Sequence, residues 1–218
     1  MTDDHDPMGL IVPPRDAEAL RSLAEAQLAA AKMQPLIAVE VGTWAGGTAR
    51  MLADLCVPHP PAEPAWPFTA PFHYRVFCVD HWLGNPCDSL APLALQYGQK
   101  RAYETWCRNM GPRLYRSVFP LIGTSLQHAA VWPRDLPIDL LFLDADHTYE
   151  HVRQDIAAWS PLVRPGGIIS GHDFHPNFPG VVAAVEQTGP YIVCAGSTIW
   201  WRTARDPKQF PNSNGKDE

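Results

Sequence analysis

The sequence predicts an α/β fold: a Rossmann-like, doubly wound, mostly parallel seven-stranded sheet with an antiparallel edge hairpin. Three observations lead there. From residue 36 onward, short apolar runs alternate with amphipathic stretches, the pattern of strands joined by crossover helices. The run "IDLLFLDAD" is apolar on consecutive residues, as expected of a strand covered on both faces. The last two strand-like runs, "YIVCAG" and "STIWWRT", have no helix between them, so they should pair as an antiparallel hairpin.

The elements follow in order. "PPRDAEALRSLAEAQLAAAK" carries Leu20, Leu23, Leu28 and Ala31 at helical spacing, with Asp16 as the expected N-cap. It is expected to form a helical extension over residues 1–35, ahead of the main α/β domain over 36–205. "LIAVEVG" is the first buried strand and Thr48 to Cys56 the helix after it. Residues 57–72, "VPHPPAEPAWPFTAPF", hold six prolines, a density that excludes helix and central strand and marks a surface insertion. "YRVFCVD" is the second strand, ending at Asp80. Residues 86–110 read as a second insertion, helical and interrupted near Pro92 and Gly98. "SVFPLIGTS" is the third strand, ending near Thr124 and Ser125, and "IDLLFLDAD" the fourth. "TYEHVRQDIAAW" is the next helix, with Tyr149, Val152, Ile156 and Trp159 on one face. "RPGGIISGHDF" gives a Pro-Gly-Gly turn and a fifth strand, followed by a short helix near 179–187 and the closing hairpin. The polar tail over 206–218 is expected to be disordered.

Composition narrows the function. A net charge of −6 disfavours a nucleic-acid backbone or an anionic membrane as partner. No apolar run reaches the roughly 20 residues a spanning helix needs, and "MTDDHDPMGL" lacks the basic and apolar regions of a signal peptide. The five cysteines, at 56, 78, 87, 107 and 194, form no CxxC pair and include an odd one. They are expected to be reduced thiols in a cytoplasmic protein.

The stretch "AVEVGTWAGGTAR", residues 38–50, has the shape of a cofactor-binding turn: strand, glycine cluster, helix. A phosphate-cradling loop needs a lysine after its last glycine, and here Thr48 and Ala49 follow Gly47. A dinucleotide loop needs a second glycine two residues after the first, so that backbone can approach a pyrophosphate, and here that place is Trp44. The loop is built for something other than a phosphate.

In a doubly wound sheet the ligand lies beyond the carboxyl ends of the strands. Each predicted strand ends there in polar or turn-forming residues: Gly42, then Asp80, then Thr124 and Ser125, then Asp144, Asp146 and His147, then His172 and Asp173. Asp80 is placed to accept hydrogen bonds from both hydroxyls of a ribose. A cofactor with a ribose and no phosphate suits both features, and S-adenosylmethionine is such a molecule.

The run "EVGTWAGGTA", Asp80, and "IDLLFLDADHTYEHVRQDIAAWSPLVRPGGIISGHDF" together resemble class I S-adenosylmethionine-dependent methyltransferases. They are most similar to the bacterial family that includes macrolide and sugar O-methyltransferases and cephalosporin-hydroxylase-like proteins. The resemblance spans roughly residues 36–203. It implies that Glu40, Gly42 and Gly46, in a loop that also holds Thr43 and Trp44, bind the methionine portion of the cofactor. Asp80 would take the ribose, and Thr124 or Ser125 would approach the adenine. Trp44 and Trp82 would serve as apolar walls or as packing. Related divalent-metal O-methyltransferases place ligands where Asp144, His172 and Asp173 stand, which makes magnesium, manganese or another divalent ion a second expected cofactor.

His147 is the alternative actor, since a histidine at the mouth of the fourth strand can accept a proton at neutral pH. The expected reaction is therefore O-methylation of a small-molecule or sugar hydroxyl, with Asp144 and His147 as catalytic residues. Three other readings remain open: an N-methyltransferase without metal, a nucleotide-dependent oxidoreductase, and a non-catalytic cofactor-binding protein. Trp66, Phe68, Phe72, Tyr97, Tyr103 and Trp106 line an acceptor site, pack a lid onto the domain, or bury the interface of a homo-oligomer.

Overall fold

The computed structural model describes residues 13–30, 36–55, 74–84 and 91–205, with the side chains of 91–97 excepted. The expected insertion at 57–72, the start of that at 86–110, Cys56, Cys87 and the tail at 206–218 lie outside the described residues, as do the side chains of Trp66, Phe68, Phe72 and Tyr97.

Thirteen helices and strands follow in chain order. They are α1 (Pro14–Ala30), β1 (Leu36–Val41), α2 (Gly47–Asp54), β2 (Tyr74–Asp80), α3 (Ala91–Met110), β3 (Val118–Ile122), α4 (Ser125–Val131), β4 (Ile138–Leu143), α5 (Tyr149–Trp159), β5 (Val163–Gly171), α6 (Pro179–Glu186), β6 (Ile192–Val193) and β7 (Trp200–Thr203). The seven strands form one sheet in the order β3-β2-β1-β4-β5-β7-β6. All neighbours are parallel except β7, which runs antiparallel to both β5 and β6. This is the expected architecture, hairpin included.

Helices cover both faces. On one, Leu20 and Leu23 of α1, Leu52 of α2, and Trp106 and Met110 of α3 pack on Ala38, Val76, Leu140 and Phe142. On the other, Trp132, Val152, Ile156, Trp159, Val181 and Val185 pack on Val39, Val41, Leu141 and Ile169. Burial on two faces explains why β1 and β4 carry almost unbroken apolar runs. The order reverses between β1 and β4, and the cleft at their carboxyl ends is where such a sheet takes its ligand.

Several elements differ from expectation. Pro14 and Asp16 lie inside α1, and the Asp16 N–H donates to the Pro13 carbonyl, so Asp16 is not the N-cap. Its carboxylate goes elsewhere, as described below. The Pro-Gly-Gly segment is no turn but a bulge within β5: pairing jumps from Ile138–Val163 to Leu140–Ile168, and Gly166 absorbs the extra backbone at φ 78°. Thr124 and Ser125 do not end β3. They open α4, a helix the apolar pattern did not reveal. Thr124 caps it in a reciprocal box with Gln127, and this T-x-x-Q signal is present in the sequence. The break at Gly98 is as expected, with φ 70° and ψ 157° in the middle of α3.

The junction of α4 and α5 holds a buried acid. Asp155 accepts a short hydrogen bond from the Ser125 hydroxyl, which itself accepts from Trp159 Nε1 at 2.9 Å. Burial pushes the Asp155 carboxyl up to about 6, against a partial lowering by Ser125. A carboxyl with a raised folded pKa binds more protons folded than unfolded between about pH 4 and 6, so its contribution is full below that window and lost as pH rises through it. The stability of the wild type relative to Asp155→Asn should therefore fall by up to about 3 kcal/mol between pH 4 and pH 7. Urea unfolding of both proteins across that range checks this; a constant difference contradicts it.

Candidate active site

The glycine loop between β1 and α2 is held from three sides. Gly42 has φ 87°, and a Cβ there would lie 2.1 Å from the Asp144 carbonyl oxygen, so only glycine lets the loop meet the end of β4. The Asp144 N–H donates to the Val41 carbonyl at 2.8 Å, extending the β1–β4 ladder into the site. Gly46, at φ 85°, packs against Met110 and Trp106 of α3.

Glu40, Thr43 and Trp106 form a chain beneath this loop. Trp106 Nε1 donates to Thr43 Oγ1 at 3.1 Å, and the Thr43 hydroxyl donates to the Glu40 carboxylate. Glu40 is 1% exposed. Burial pushes it up to about 8, helped by the nearby charges of Asp144 and Asp80 and opposed by Thr43. An approaching ammonium group would favour its ionised form. Asn109 of α3 adds a bond from Nδ2 to the Ala45 carbonyl at 2.9 Å. The segment read as an insertion over 86–110 is thus, in its second half, the clamp of the glycine loop.

Asp80 ties the loop to β2. Its Oδ2 accepts the Trp44 N–H at 2.8 Å and its Oδ1 accepts the Trp82 N–H at 2.7 Å. Both tryptophans adopt left-handed backbone, at φ 43° and φ 52°, and Trp82 Nε1 donates to the Trp44 carbonyl at 2.9 Å. Non-glycine residues adopt this conformation at a cost, and here the bonds to one carboxylate hold it. Burial raises the Asp80 pKa, against the lowering effect of the two amides. Each carboxylate oxygen retains lone-pair capacity beyond one amide, as a vicinal diol requires. Trp82 is fully buried against Tyr103 and Trp106, so it is a packing residue. Across the cleft, the Thr124 side chain is engaged in capping α4 and the Ser125 hydroxyl is engaged with Asp155 and Trp159.

A second constellation lies at the ends of β4 and β5, sharing a wall with the loop through Gly42 and Asp144. His172 Nδ1 is 3.3 Å from Asp144 Oδ1 and 3.2 Å from Asp173 Oδ2, and its Nε2 is 3.3 Å from Asp16 Oδ2. His147 Nε2 is 2.9 Å from Asp173 Oδ2. Burial opposes a charge on His172, but the carboxylates of Asp144 and Asp173 outweigh it and raise the imidazole to about 11. Asp173 is likewise partly desolvated, yet His147 and His172 hold its carboxyl well below the ordinary range. Both ring nitrogens of His172 thus face carboxylates, an arrangement that favours the protonated ring.

This changes the expected metal set. Among the described residues, the donor atoms that gather within 4.8 Å of one another belong to Asp144, His147 and Asp173. His172, expected as a ligand, has both ring nitrogens facing carboxylates, and His147 takes its place in the set. Two carboxylates with one imidazole suit manganese, iron or zinc better than magnesium. Asp146 turns aside to accept from the Thr148 N–H at 2.6 Å, with His151 Nδ1 3.2 Å from its other oxygen. Cys78, Cys107 and Cys194 are free thiols. Among the described residues, no helix is long and apolar enough to cross a membrane.

Two contributions escaped the sequence reading. Asp16 reaches the cluster from a helix 156 residues away in sequence, and Trp106 and Asn109 reach the loop from α3. The helical character of 86–110 was visible, but nothing local marks which residues face the loop.

A family model described as a methyltransferase domain matches residues 39–174. Among solved structures, the chain is similar to the O-methyltransferase NovP, at 19% identity and TM-score 0.61, covering 88% of this chain and 80% of that one. It is similar also to CalS11, a TDP-rhamnose 3'-O-methyltransferase of calicheamicin biosynthesis, at 18% identity and TM-score 0.56, covering 88% and 79%. A third is the O-methyltransferase from Bacillus cereus in complex with SAH, at 18% identity and TM-score 0.53, covering 92% and 84%. At these identities the likeness is one of fold. No curated protein matches the chain.

Proposed function

The chain belongs to the methyltransferase-domain family, and from that premise we propose that it transfers the methyl group of S-adenosylmethionine to a hydroxyl of a small, oxygen-rich acceptor such as a sugar. One observation carries the choice of oxygen: His147, ion-paired to Asp173, stands with Asp144 in a cluster whose backbone abuts the glycine loop. A hydroxyl must lose its proton as it attacks, whereas a neutral amine needs no base until later, and this cluster supplies one.

The residues fit the cofactor by their chemistry. Asp80 offers acceptors to the ribose hydroxyls, buried Glu40 beneath the loop favours a nearby ammonium, and the loop has no phosphate-binding lysine. When bound, the sulfonium supplies an already activated methyl group, so the protein's work is alignment and proton removal. Asp173 holds His147 through Nε2 at 2.9 Å, and His147 is the group that would take the acceptor's proton. Transfer would exchange the C–S bond for a C–O bond, which leaves the acceptor's proton as the species this chain must take up.

A divalent cation is a second element that the donor set of Asp144, His147 and Asp173 supports. It would polarise the acceptor oxygen, and His147 would then act as ligand in place of base. The acceptor's proton would then need another path.

Transfer of labelled methyl from S-adenosylmethionine to a panel of nucleotide sugars, phenols and amines tests this reading. Label should enter hydroxyl acceptors, and His147→Gln should lower turnover on the order of a hundredfold or more while S-adenosylhomocysteine binds as before. Label in amines alone would select N-methylation. Full turnover in His147→Gln would remove the base assigned here, and loss of that turnover with EDTA would point to the cation.

A further inference from the structure

The helix α1 precedes the segment that the family model covers, yet it delivers a side chain to the cluster at the strand ends. Asp16 is 4% exposed. Its Oδ1 accepts from Ser197 Oγ at 2.5 Å and from the Thr198 N–H at 2.7 Å, and its Oδ2 faces His172 Nε2 at 3.3 Å. The two oxygens serve different ends. Oδ1 fastens α1 to the turn between β6 and β7. Anchoring needs nothing more, so the approach of Oδ2 to the imidazole calls for a separate explanation.

We infer that Asp16 is a positioning residue of this active site: by accepting from Nε2 it fixes the His172 ring with Nδ1 directed at Asp144 and Asp173. The inference rests on the methyltransferase reading of that cluster. An imidazole has two edges, and holding one fixes where the other points. The His172 backbone N–H is already committed to the Leu143 carbonyl at 3.0 Å, so the ring is held at both its root and its far edge. Nδ1 then sits between two carboxylates, 3.3 Å from Asp144 and 3.2 Å from Asp173. Asp173 is the group that also holds His147. The line of contacts therefore runs from α1 through His172 and Asp173 to the proposed base, and α1 is part of the site.

The test uses the full chain with nitrogen-15-labelled histidine. Asp16→Asn can keep the Oδ1 bonds to Ser197 and Thr198 but puts an NH2 group, which cannot accept, opposite Nε2. Ser197→Ala removes an anchor bond and leaves Oδ2 untouched. In the wild type, the His172 Nε2–H should be slow to exchange with solvent. In Asp16→Asn that protection should vanish and both ring nitrogen resonances should move, while in Ser197→Ala they should stay and only the melting temperature should fall. Methyl transfer by Asp16→Asn should drop about tenfold or more, with binding of S-adenosylhomocysteine changed less than about twofold.

Three results overturn the inference: an unprotected Nε2–H in the wild type, an unchanged His172 spectrum in Asp16→Asn, or equal spectral change in Ser197→Ala. The wild-type measurement decides even where a variant fails to fold. Failure of the wild type to bind S-adenosylhomocysteine is a different result; it removes the methyltransferase reading and leaves the His172 spectrum to judge Asp16.

Discussion

Replacing Asp80 by alanine is expected to weaken binding of S-adenosylhomocysteine at least about a hundredfold, in a protein that still folds. Two losses combine. The acceptors for the ribose hydroxyls disappear, and hydrogen bonds to a charged group contribute about 1.5–3 kcal/mol each. At about 1.4 kcal/mol per tenfold in affinity, two such bonds account for a hundredfold or more. The amides of Trp44 and Trp82 also lose the carboxylate that holds both residues in left-handed backbone, so the loop loses its preset shape. Folding should suffer much less. Asp80 is a desolvated carboxylate whose pKa burial raises, and removing it relieves that cost while orphaning two amides. Asp80→Asn, which keeps one acceptor oxygen, should fall between. Calorimetric titration measures all three proteins, and an alanine variant that binds like the wild type would place the ribose elsewhere.

Trp106→Ala should lose about 3–5 kcal/mol of stability. The ring is fully buried, lies 5.4 Å from Trp82 and 6.1 Å from Tyr103 between centroids, and touches the space beside Gly46. Its Nε1 bond to Thr43 continues through the hydroxyl to Glu40, so the same change loosens the glycine loop. Trp106→Phe separates the effects: most of the packing remains, and the missing hydrogen bond should cost about 1 kcal/mol. Urea unfolding gives both numbers. A loss below about 1 kcal/mol for alanine would mean that α3 is an appendage on the domain, as the word insertion suggests, and not part of its frame.

The parts of this fold that were legible in the sequence are those fixed by local pattern. β1, β2 and β4 stood out because strands buried on both faces carry apolar residues in unbroken or nearly unbroken runs. Their carboxyl ends then named Gly42, Asp80 and Asp144, because topology alone puts those ends at the cleft. Short elements were less clear. The seven residues of α4 show too little periodicity, and its one local signal, the Thr124–Gln127 box, was not read. The bulge in β5 read as a turn because Pro-Gly-Gly is compatible with both.

Partnerships between distant residues were the least legible. Asp16 sits at a position where an acid commonly caps a helix, and only the folded chain shows its carboxylate spent on Ser197, Thr198 and His172. His147 and His172 looked equally able to bind a proton or a metal. Their roles separate once three carboxylates are seen around His172, with His147 ion-paired to Asp173.

The most direct test of the central claim is a calorimetric titration of the wild-type chain with S-adenosylhomocysteine, run beside one with a nicotinamide dinucleotide. A cleft made by a lysine-free loop and Asp80 should bind S-adenosylhomocysteine with micromolar affinity and leave the dinucleotide unbound. Binding of the dinucleotide alone would contradict the account and return this loop to the phosphate ligands that its glycines and Trp44 argue against.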